Sequence, residues 1–259
     1  RRVSHMSDQN QSAIVTGGTS GLGAAVAIAL KNRGIKVGIL DLDEKNGIQT
    51  AKKIGAVFAN CDVGDASSVQ EALCSVRAIN GQERICMNCA GIALALPTVR
   101  LDQPHDPKLF EKTIRTNLIG TFNVASQSAA GMTKLPHEDE DCSRGVIINT
   151  SSMASFEGQI GHAAYSASKA GIVGLTLPMA RDLAIYGIRV ITIAPGMFST
   201  PMASDIKEKH KRTILDNQAF PKRLGKTDEF ASLVLQCIDN PMLNGETIRL
   251  DAGCRMPPR

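Results

Sequence analysis

The chain has 259 residues, 43% of them apolar, enough for one substantial core and the usual size of a single α/β domain. Its net charge of +4 is mild and its lysines and arginines are scattered, so charge does not point to nucleic acid, and no apolar run approaches the ~20 residues of a membrane span. Seven scattered cysteines, an odd number, suit a reducing compartment better than a disulfide framework.

Arg1 to Met6 (RRVSHM) resemble an expression-tag remnant and are set aside with the polar Ser7 to Gln11. No transit or signal segment is visible, and one domain is expected from 12 to 259. Ser12 to Thr16 reads as a short buried strand, followed at once by Gly17, Gly18, Thr19, Ser20, Gly21, Leu22 and Gly23 and then by the helical AAVAIALKNRG. Glycines let a backbone pass close to a pyrophosphate, and a helix amino terminus offers it unpaired N–H groups and a partial positive charge. Alone, such a loop could equally be a tight turn. Lys36 to Leu40 supplies the next strand, and Asp41 at its end stands eighteen residues after Gly23, near the spacing at which an acid accepts the ribose hydroxyls of NAD. With Asp43 nearby it should also reject the 2′-phosphate of NADP, since like charges about 4 Å apart repel by about 4 kcal/mol at an effective dielectric of about 20.

A helix over about Glu44 to Ile54 leads to a strand from Val57 to Asn60, whose end at Cys61, Asp62 and Val63 could border an adenine ring. Ala66 to Ile79 is helical, and a strand over Arg84 to Met87 runs into the small and polar Asn88, Cys89, Ala90 and Gly91. Cys86 and Cys89 form a C-x-x-C, but residues i and i+3 of a strand point to opposite faces and no second ligand pair follows, so no metal site is expected there or among the five histidines. Leu94 to Asp106 reads as a surface loop before a helix over Pro107 to Thr116. Asn117 falls in a continuing or bent helix through Phe122 to Gly131, as a buried structural residue or as part of a site. Glu138 to Asp141 reads as a solvated loop.

Val146 to Ile148 is a buried strand that places Thr150, Ser151 and Ser152 at the rim where open α/β sheets bind ligands. After a loop eased by Gly158 and Gly161, a helix begins near Ala163, and on it Tyr165 and Lys169 are i and i+4, on one face. A phenol titrates near ~10; drawing it ~2–3 units toward neutrality takes roughly 3–4 kcal/mol, part of which a neighbouring ammonium can supply. A hydroxyl from Ser152 could then polarise the carbonyl that the tyrosine protonates. Tyr-x-x-x-Lys is also a common surface pair, but this chain has only two tyrosines, Tyr165 and Tyr186, and the first follows Ser152 by thirteen residues.

The helix continues through Leu183, and a sixth strand over Arg189 to Ile193 ends at Pro195 and Gly196, with Thr200 and Pro201 beyond. Met202 to Phe220 is polar, carrying Lys207, Lys209, His210, Lys211 and Arg212 on short helices. A helix over Thr227 to Ile238, with Thr227 as N-cap, precedes a last strand at Glu246 to Leu250. Seven strands separated mostly by helices make a doubly wound parallel sheet of Rossmann type with right-handed crossovers. Its strand ends bring Gly17 to Gly23, Asp41, Asp62, Asn88 to Gly91, Ser152 and Pro195 to Thr200 to one rim.

TGGTSGLG (16–23), NCAG (88–91), Asn117, Ser152, YSASK (165–169) and PG (195–196) together resemble the short-chain dehydrogenases/reductases over nearly the whole chain. The resemblance implies that Tyr165 is the acid/base, that Lys169 holds the nicotinamide ribose and lowers the tyrosine pKa, that Ser152 orients the substrate oxygen and that Asn117 supports a proton-relay water. It assigns the cofactor to Gly17, Ser20, Gly21, Leu22, Gly23, Asp41, Asp62, Val63, Asn88, Ala90, Gly91, Pro195, Gly196, Phe198 and Thr200, with Tyr165 and Lys169. Cys89 departs from the family, which often has asparagine there.

The stretches from Gly145 to Ala184 and from Ile188 to Pro201 and NGETIRLDAG are similar to the branch that oxidises 3-hydroxyacyl-CoA thioesters, including 2-methyl-3-hydroxybutyryl-CoA, and hydroxysteroids. This implies NAD, a homotetramer, Gln159 beside the substrate and a lid near 197–222; by their position there Lys207, Lys209, Lys211 and Arg212 either attract the phosphates of coenzyme A or form a solvated helix face. The compartment would be the cytoplasm in a bacterium or the mitochondrial matrix in a eukaryote. Two other readings stand beside this one: an NADPH-dependent 3-oxoacyl carrier-protein reductase, against which Asp41 argues, and a scaffold subunit in mitochondrial tRNA processing, for which nothing in the sequence marks an RNA surface.

Overall fold

The structure, a computed structural model, describes residues 11–204, 206 and 208–258. The chain runs β1 (Ser12–Thr16), α1 (Gly21–Asn32), β2 (Lys36–Asp41), α2 (Glu44–Ile54), β3 (Val57–Asn60), α3 (Ala66–Asn80) and β4 (Ile85–Asn88). After β4 come β5 (Val99–Arg100), β6 (Gln103–Pro104), α4 (Pro107–Ile114), α5 (Gly120–Met132), β7 (Gly145–Thr150) and α6 (Ala163–Ala184). It closes with β8 (Ile188–Pro195), α7 (Pro201–Ser204), α8 (Glu208–Asp216), α9 (Thr227–Asp239) and β9 (Thr247–Leu250). Seven strands form one parallel sheet in the order β3-β2-β1-β4-β7-β8-β9, so the expected doubly wound sheet is found. The winding reverses between β1 and β4, and the carboxyl ends on either side of that reversal border the crevice where such sheets take ligands.

Both faces of the sheet are covered, which is why its strands read as apolar runs rather than alternations. Val15, Ile39, Met87, Ile148 and Ile193 face one core with α1 and α9; Ile14, Leu40, Cys86, Ile147 and Val190 face the other with α3, α5 and α6. Cys86 and Cys89 accordingly pack on opposite sides of the sheet.

Several element ends differ from the sequence reading. Asn88, Thr150 and Pro195 lie inside the last rung of their strands rather than beyond it. The N-cap of α9 is Lys226, not Thr227, and its backbone N–H donates to Glu229 Oε2 at 2.7 Å. The expected surface loop 94–106 holds a two-rung hairpin, β5 with β6, turned through Leu101 and Asp102 at φ 49° and 63°. Glu138 is not a free solvated carboxylate, since Arg84 Nε reaches it at 2.9 Å and Gln11 donates to it at 3.2 Å, while burial raises its pKa. Gln11 itself is buried and its carbonyl accepts from Lys36 N–H at 2.9 Å. Lys207 lies outside the described residues, as do Arg1 to Asn10.

Candidate active site

The crevice floor is made by the turn after β1. Gly17 has φ 63°, and a Cβ there would fall 2.9 Å from Ala90 Cα, so the glycine loop and the end of β4 touch backbone to backbone. Thr16 Oγ1 locks the contact by accepting from the N–H groups of Cys89 (3.1 Å) and Ala90 (3.0 Å). Gly23 allows the first turn of α1 to pack on the Gly17 carbonyl, where any side chain would collide. The N-cap of α1, Ser20, makes no side-chain cap bond and the first turn carries no acid, so its N–H groups stay available to an anionic group.

At the end of β2, Asp41 Oδ2 accepts from Thr19 Oγ1 at 2.6 Å and Thr19 N–H at 3.2 Å, and Oδ1 accepts from Asp43 N–H at 3.1 Å. The carboxylate is thus held at the rim beside the glycine loop and half-buried. Asp62 closes its own turn by accepting from Gly64 N–H at 2.9 Å, and Val63 is buried against Gly120. An uncapped helix start, an acid at the next strand end and glycines that admit close approach fit the pyrophosphate and ribose of a dinucleotide.

The second half of the site lies at the ends of β4 and β7. Asn88 Nδ2 donates to Asn149 Oδ1 at 2.9 Å, tying the two strands together where they finish. Asn117 sits in a π-helical turn, Arg115–Ile119, between α4 and α5; such bulges are frequent at functional sites. It is fully buried, accepts from Ile92 N–H at 2.8 Å, and donates to Ile92 O at 2.9 Å and Ser168 Oγ at 3.0 Å. One side chain therefore joins the loop after β4 to α6. Lys169, 4% exposed, donates to the carbonyl of Thr150 at 2.9 Å, and a Cβ on Gly91 would lie 3.4 Å from its Nζ. Ser151 fixes the same turn of α6 by donating to Lys169 O at 2.8 Å.

Ser152 is the N-cap of a short 3-10 turn, Met153–Ser155, its hydroxyl accepting from Ala154 N–H at 3.1 Å, and it lies near enough to the Tyr165 phenol to favour the phenolate. The Tyr165 ring is 5.9 Å from Lys169 Nζ and lies edge-on to His162 with ring centroids 5.9 Å apart. Ser152, Tyr165, Lys169 and Asn117, picked from separate stretches of sequence, converge. The electrostatics differ from the expectation. Burial pushes the Tyr165 phenol up rather than down, with Ser152 opposing it, and burial lowers Lys169 to about 8. Burial also pushes the Cys89 thiol up to about 11, so it stands neutral beside Thr150.

The segment after β8 returns over the glycine loop, where a Cβ on Gly21 would lie 3.3 Å from Thr200 Cγ2. Gly196 N–H donates to Leu250 O at 2.8 Å, and the absence of a side chain there lets Asp251 approach. Phe198 is different: its ring is turned into the core, edge-on to Phe230 at 6.1 Å, and does not join the others at the rim. Gln159 is 6% exposed, with Nε2 donating to Pro257 O at 3.0 Å and Oε1 3.2 Å from His210 Nε2 on α8. Sequence reasoning met Thr16, Thr19, Ser168 and His210 only as members of their motifs and gave them no role, because their partners are remote in the chain. The one local signal was Ser168, one turn after Tyr165 on α6.

The model of the family described as short chain dehydrogenase matches residues 11–211. The chain is 49% identical over 250 residues to 3-hydroxyacyl-CoA dehydrogenase type-2 of Homo sapiens, covering 95% of each. It is 44% identical over 254 residues to the protein of that name from Drosophila melanogaster, covering 96% of this chain and 99% of the other. The crystal structure of 3-hydroxyacyl-CoA dehydrogenase type-2 from Mycobacterium avium superposes with a TM-score of 0.91 at 39% identity, over 96% of this chain and 98% of that one. With the glycine crevice, the Ser152–Tyr165–Lys169 grouping and a match along nearly its whole length, the chain belongs to the short-chain dehydrogenase family of oxidoreductases.

Proposed function

We propose that the protein is an NAD-dependent 3-hydroxyacyl-CoA dehydrogenase, interconverting 3-hydroxyacyl-CoA and 3-oxoacyl-CoA. The observation that carries the reading is the Tyr165 ring set 5.9 Å from a Lys169 ammonium anchored on the Thr150 carbonyl, with Ser152 next to the phenol, at the edge of the glycine crevice. The names of the most similar relatives supply the thioester class. Asp41 supports NAD over NADP, because a carboxylate at that rim repels a 2′-phosphate.

When bound, NAD supplies the hydride acceptor. Ser152 accepts from Ala154 N–H, which leaves its own proton free to hold the substrate oxygen. Tyr165 takes the hydroxyl proton in oxidation and returns one to the carbonyl oxygen in reduction. Because burial favours the neutral phenol, the resting side chain is set to donate, and oxidation needs it deprotonated first; Lys169, held on the Thr150 carbonyl, supplies positive charge that favours this loss. Asn117 fixes the loop after β4 against α6 and so keeps Gly91 beside Lys169. The segment 197–222, with α7 and α8, is the substrate lid, in contact with Gln159 through His210.

The homotetramer implied by the resemblance is supported by apolar side chains left exposed along one group of helices, Phe110 on α4, Phe122 on α5 and Leu177 on α6. The deciding experiment is a panel of NAD-linked oxidation rates over 3-hydroxyacyl-CoA thioesters, hydroxysteroids and simple alcohols. The thioesters should give the highest kcat/KM; a preference for simple alcohols would refute the reading.

A further inference from the structure

The carboxylate at the end of β2 is already heavily engaged. A carboxylate only accepts hydrogen bonds, through two lone pairs on each oxygen. Asp41 Oδ2 accepts twice, from Thr19 Oγ1 at 2.6 Å and from Thr19 N–H at 3.2 Å, and Oδ1 accepts once, from Asp43 N–H at 3.1 Å. Among the described residues, that leaves one lone pair, on Oδ1. An adenosine ribose presents two hydroxyls, at C2′ and C3′, and an acid at this strand end serves the first of them. The second needs another acceptor.

Thr19 has the chemistry and the fixed position to be that acceptor. Its hydroxyl meets a group that cannot donate, so its single proton is committed to Asp41 and the lone pairs of Oγ1 stay open to a donor. Giving that proton to a carboxylate also makes Oγ1 the stronger acceptor, since each hydrogen bond in a chain polarises the next. The residue is held on both sides, its N–H on Asp41 and its carbonyl accepting from the Thr50 hydroxyl on α2 at 3.5 Å. The strand end beneath is pinned as well: Gly17 N–H donates to Leu40 O at 2.9 Å and Cys61 N–H to Asp41 O at 3.0 Å. Thr19 and Asp41 are both half-buried, where the glycine loop meets the end of β2.

We propose that Thr19 is a second ribose-binding residue, its Oγ1 accepting the 3′-hydroxyl of the adenosine ribose while Asp41 Oδ1 accepts the 2′-hydroxyl. The proposal rests on the NAD reading of this crevice and deepens it. The diol is then read by two side chains in series, with a hydrogen-bonded chain running from the ribose through Thr19 to the carboxylate. The arrangement also sharpens the choice of cofactor. A 2′-phosphate brings acceptors to Asp41 instead of a donor, and the Thr19 proton that a phosphate oxygen would need is already spent on Oδ2.

The test is calorimetric binding of NAD, of NADP and of the NAD analogue that lacks the 3′-hydroxyl on its adenosine ribose, to the wild type, Thr19→Val and Thr19→Ser, with NAD-linked oxidation of 3-hydroxybutyryl-CoA measured beside it. Valine keeps the shape of threonine, and its methyl group fills the place of the hydroxyl, so Oδ2 stays covered. The wild type should bind the analogue roughly tenfold more weakly than NAD, the upper end of what one hydrogen bond contributes. This arm needs no variant, so it reads the contact whatever Thr19→Val does to the loop. Thr19→Val should bind NAD roughly tenfold more weakly than the wild type does, and the analogue as well as NAD to within about twofold. The kinetic loss should sit in KM for NAD, with kcat changed less than about twofold. Thr19→Ser, which keeps the hydroxyl, should restore NAD affinity to within about threefold of the wild type. A wild type that loses nothing with the analogue, additive losses from the analogue and Thr19→Val, or a serine variant as weak as the valine one would overturn the proposal and leave the NAD reading standing. A wild type that binds NADP as tightly as NAD would remove that reading and this proposal with it.

Discussion

Lys169 and Tyr165, one helical turn apart on α6, are held at 5.9 Å from ammonium to ring centroid, while the ammonium itself is bonded to the carbonyl of Thr150 at 2.9 Å. The lysine is thus anchored to the sheet and presents its charge to the phenol from a fixed position. Burial works against both charged forms, raising Tyr165 and lowering Lys169 to about 8.

That balance sets the pH dependence. The phenol must lose a proton for oxidation, so kcat/KM for oxidation should rise with pH, and that for reduction should fall. Lys169→Ala removes the charge that opposes the burial effect, so the rising limb should move up by about one pH unit or more, with at least a roughly tenfold loss at pH 7. A pH–rate profile of the variant superimposable on the wild type would show that Lys169 does not act on Tyr165.

Asp41 should dictate cofactor choice. Its carboxylate, oriented by the Thr19 hydroxyl at 2.6 Å, should give the wild type a preference for NAD over NADP of at least ~100-fold in kcat/KM, about 2.7 kcal/mol. Asp41→Ala should weaken NAD and bring the ratio within ~10-fold. Comparable kcat/KM for the two cofactors in the wild type would refute the assignment.

Much of this site was readable from the sequence because it is built of local patterns. A strand that meets a glycine run and then a helix announces β1, the loop and α1, and i to i+4 spacing puts Tyr165 and Lys169 together whatever the rest of the fold. The partners that orient them were not readable. Asn117 reaches Ile92 and Ser168, and Gln159 reaches Pro257, across 25, 51 and 98 residues, distances at which no periodicity speaks. The β5–β6 turn was hidden for another reason: Leu101 and Asp102 adopt positive φ without a glycine to signal it. The net direction of the Tyr165 shift was not readable either, because spacing reveals a neighbouring charge but not the burial that opposes it.

The loop that carries Gln159 and His162 should depend on a strand at the far edge of the sheet. Arg249 on β9 makes a bidentate pair with Glu157 at 2.7 and 2.9 Å, donates to Asp251 at 2.7 Å and to Cys254 O at 2.9 Å, and lies 4.9 Å over the Phe156 ring. The pair is partly solvated, so Arg249→Gln should cost ~1–2 kcal/mol, lowering Tm by roughly 2–8 °C. The Arg249 hydrogen bond holds the Glu157 carboxyl below 4.5 in the fold. A depressed carboxylate stabilises fully above its unfolded pKa and loses that contribution as pH falls through the folded one. The Tm difference between wild type and variant should therefore be constant above about pH 5.5 and shrink below pH 4.5. A difference that grew on acidification would contradict the pairing.

The central claim is that Tyr165 moves the proton of a 3-hydroxyacyl thioester, and it is tested most directly by the NAD-linked oxidation of 3-hydroxybutyryl-CoA by Tyr165→Phe beside the wild type, with NAD affinity measured on both. The wild type should turn the thioester over; in the variant kcat should fall by at least ~100-fold, while the NAD dissociation constant stays within about twofold because the ring still packs. Retention of more than about a tenth of kcat, a loss below ~1.4 kcal/mol, would show that another group carries the proton.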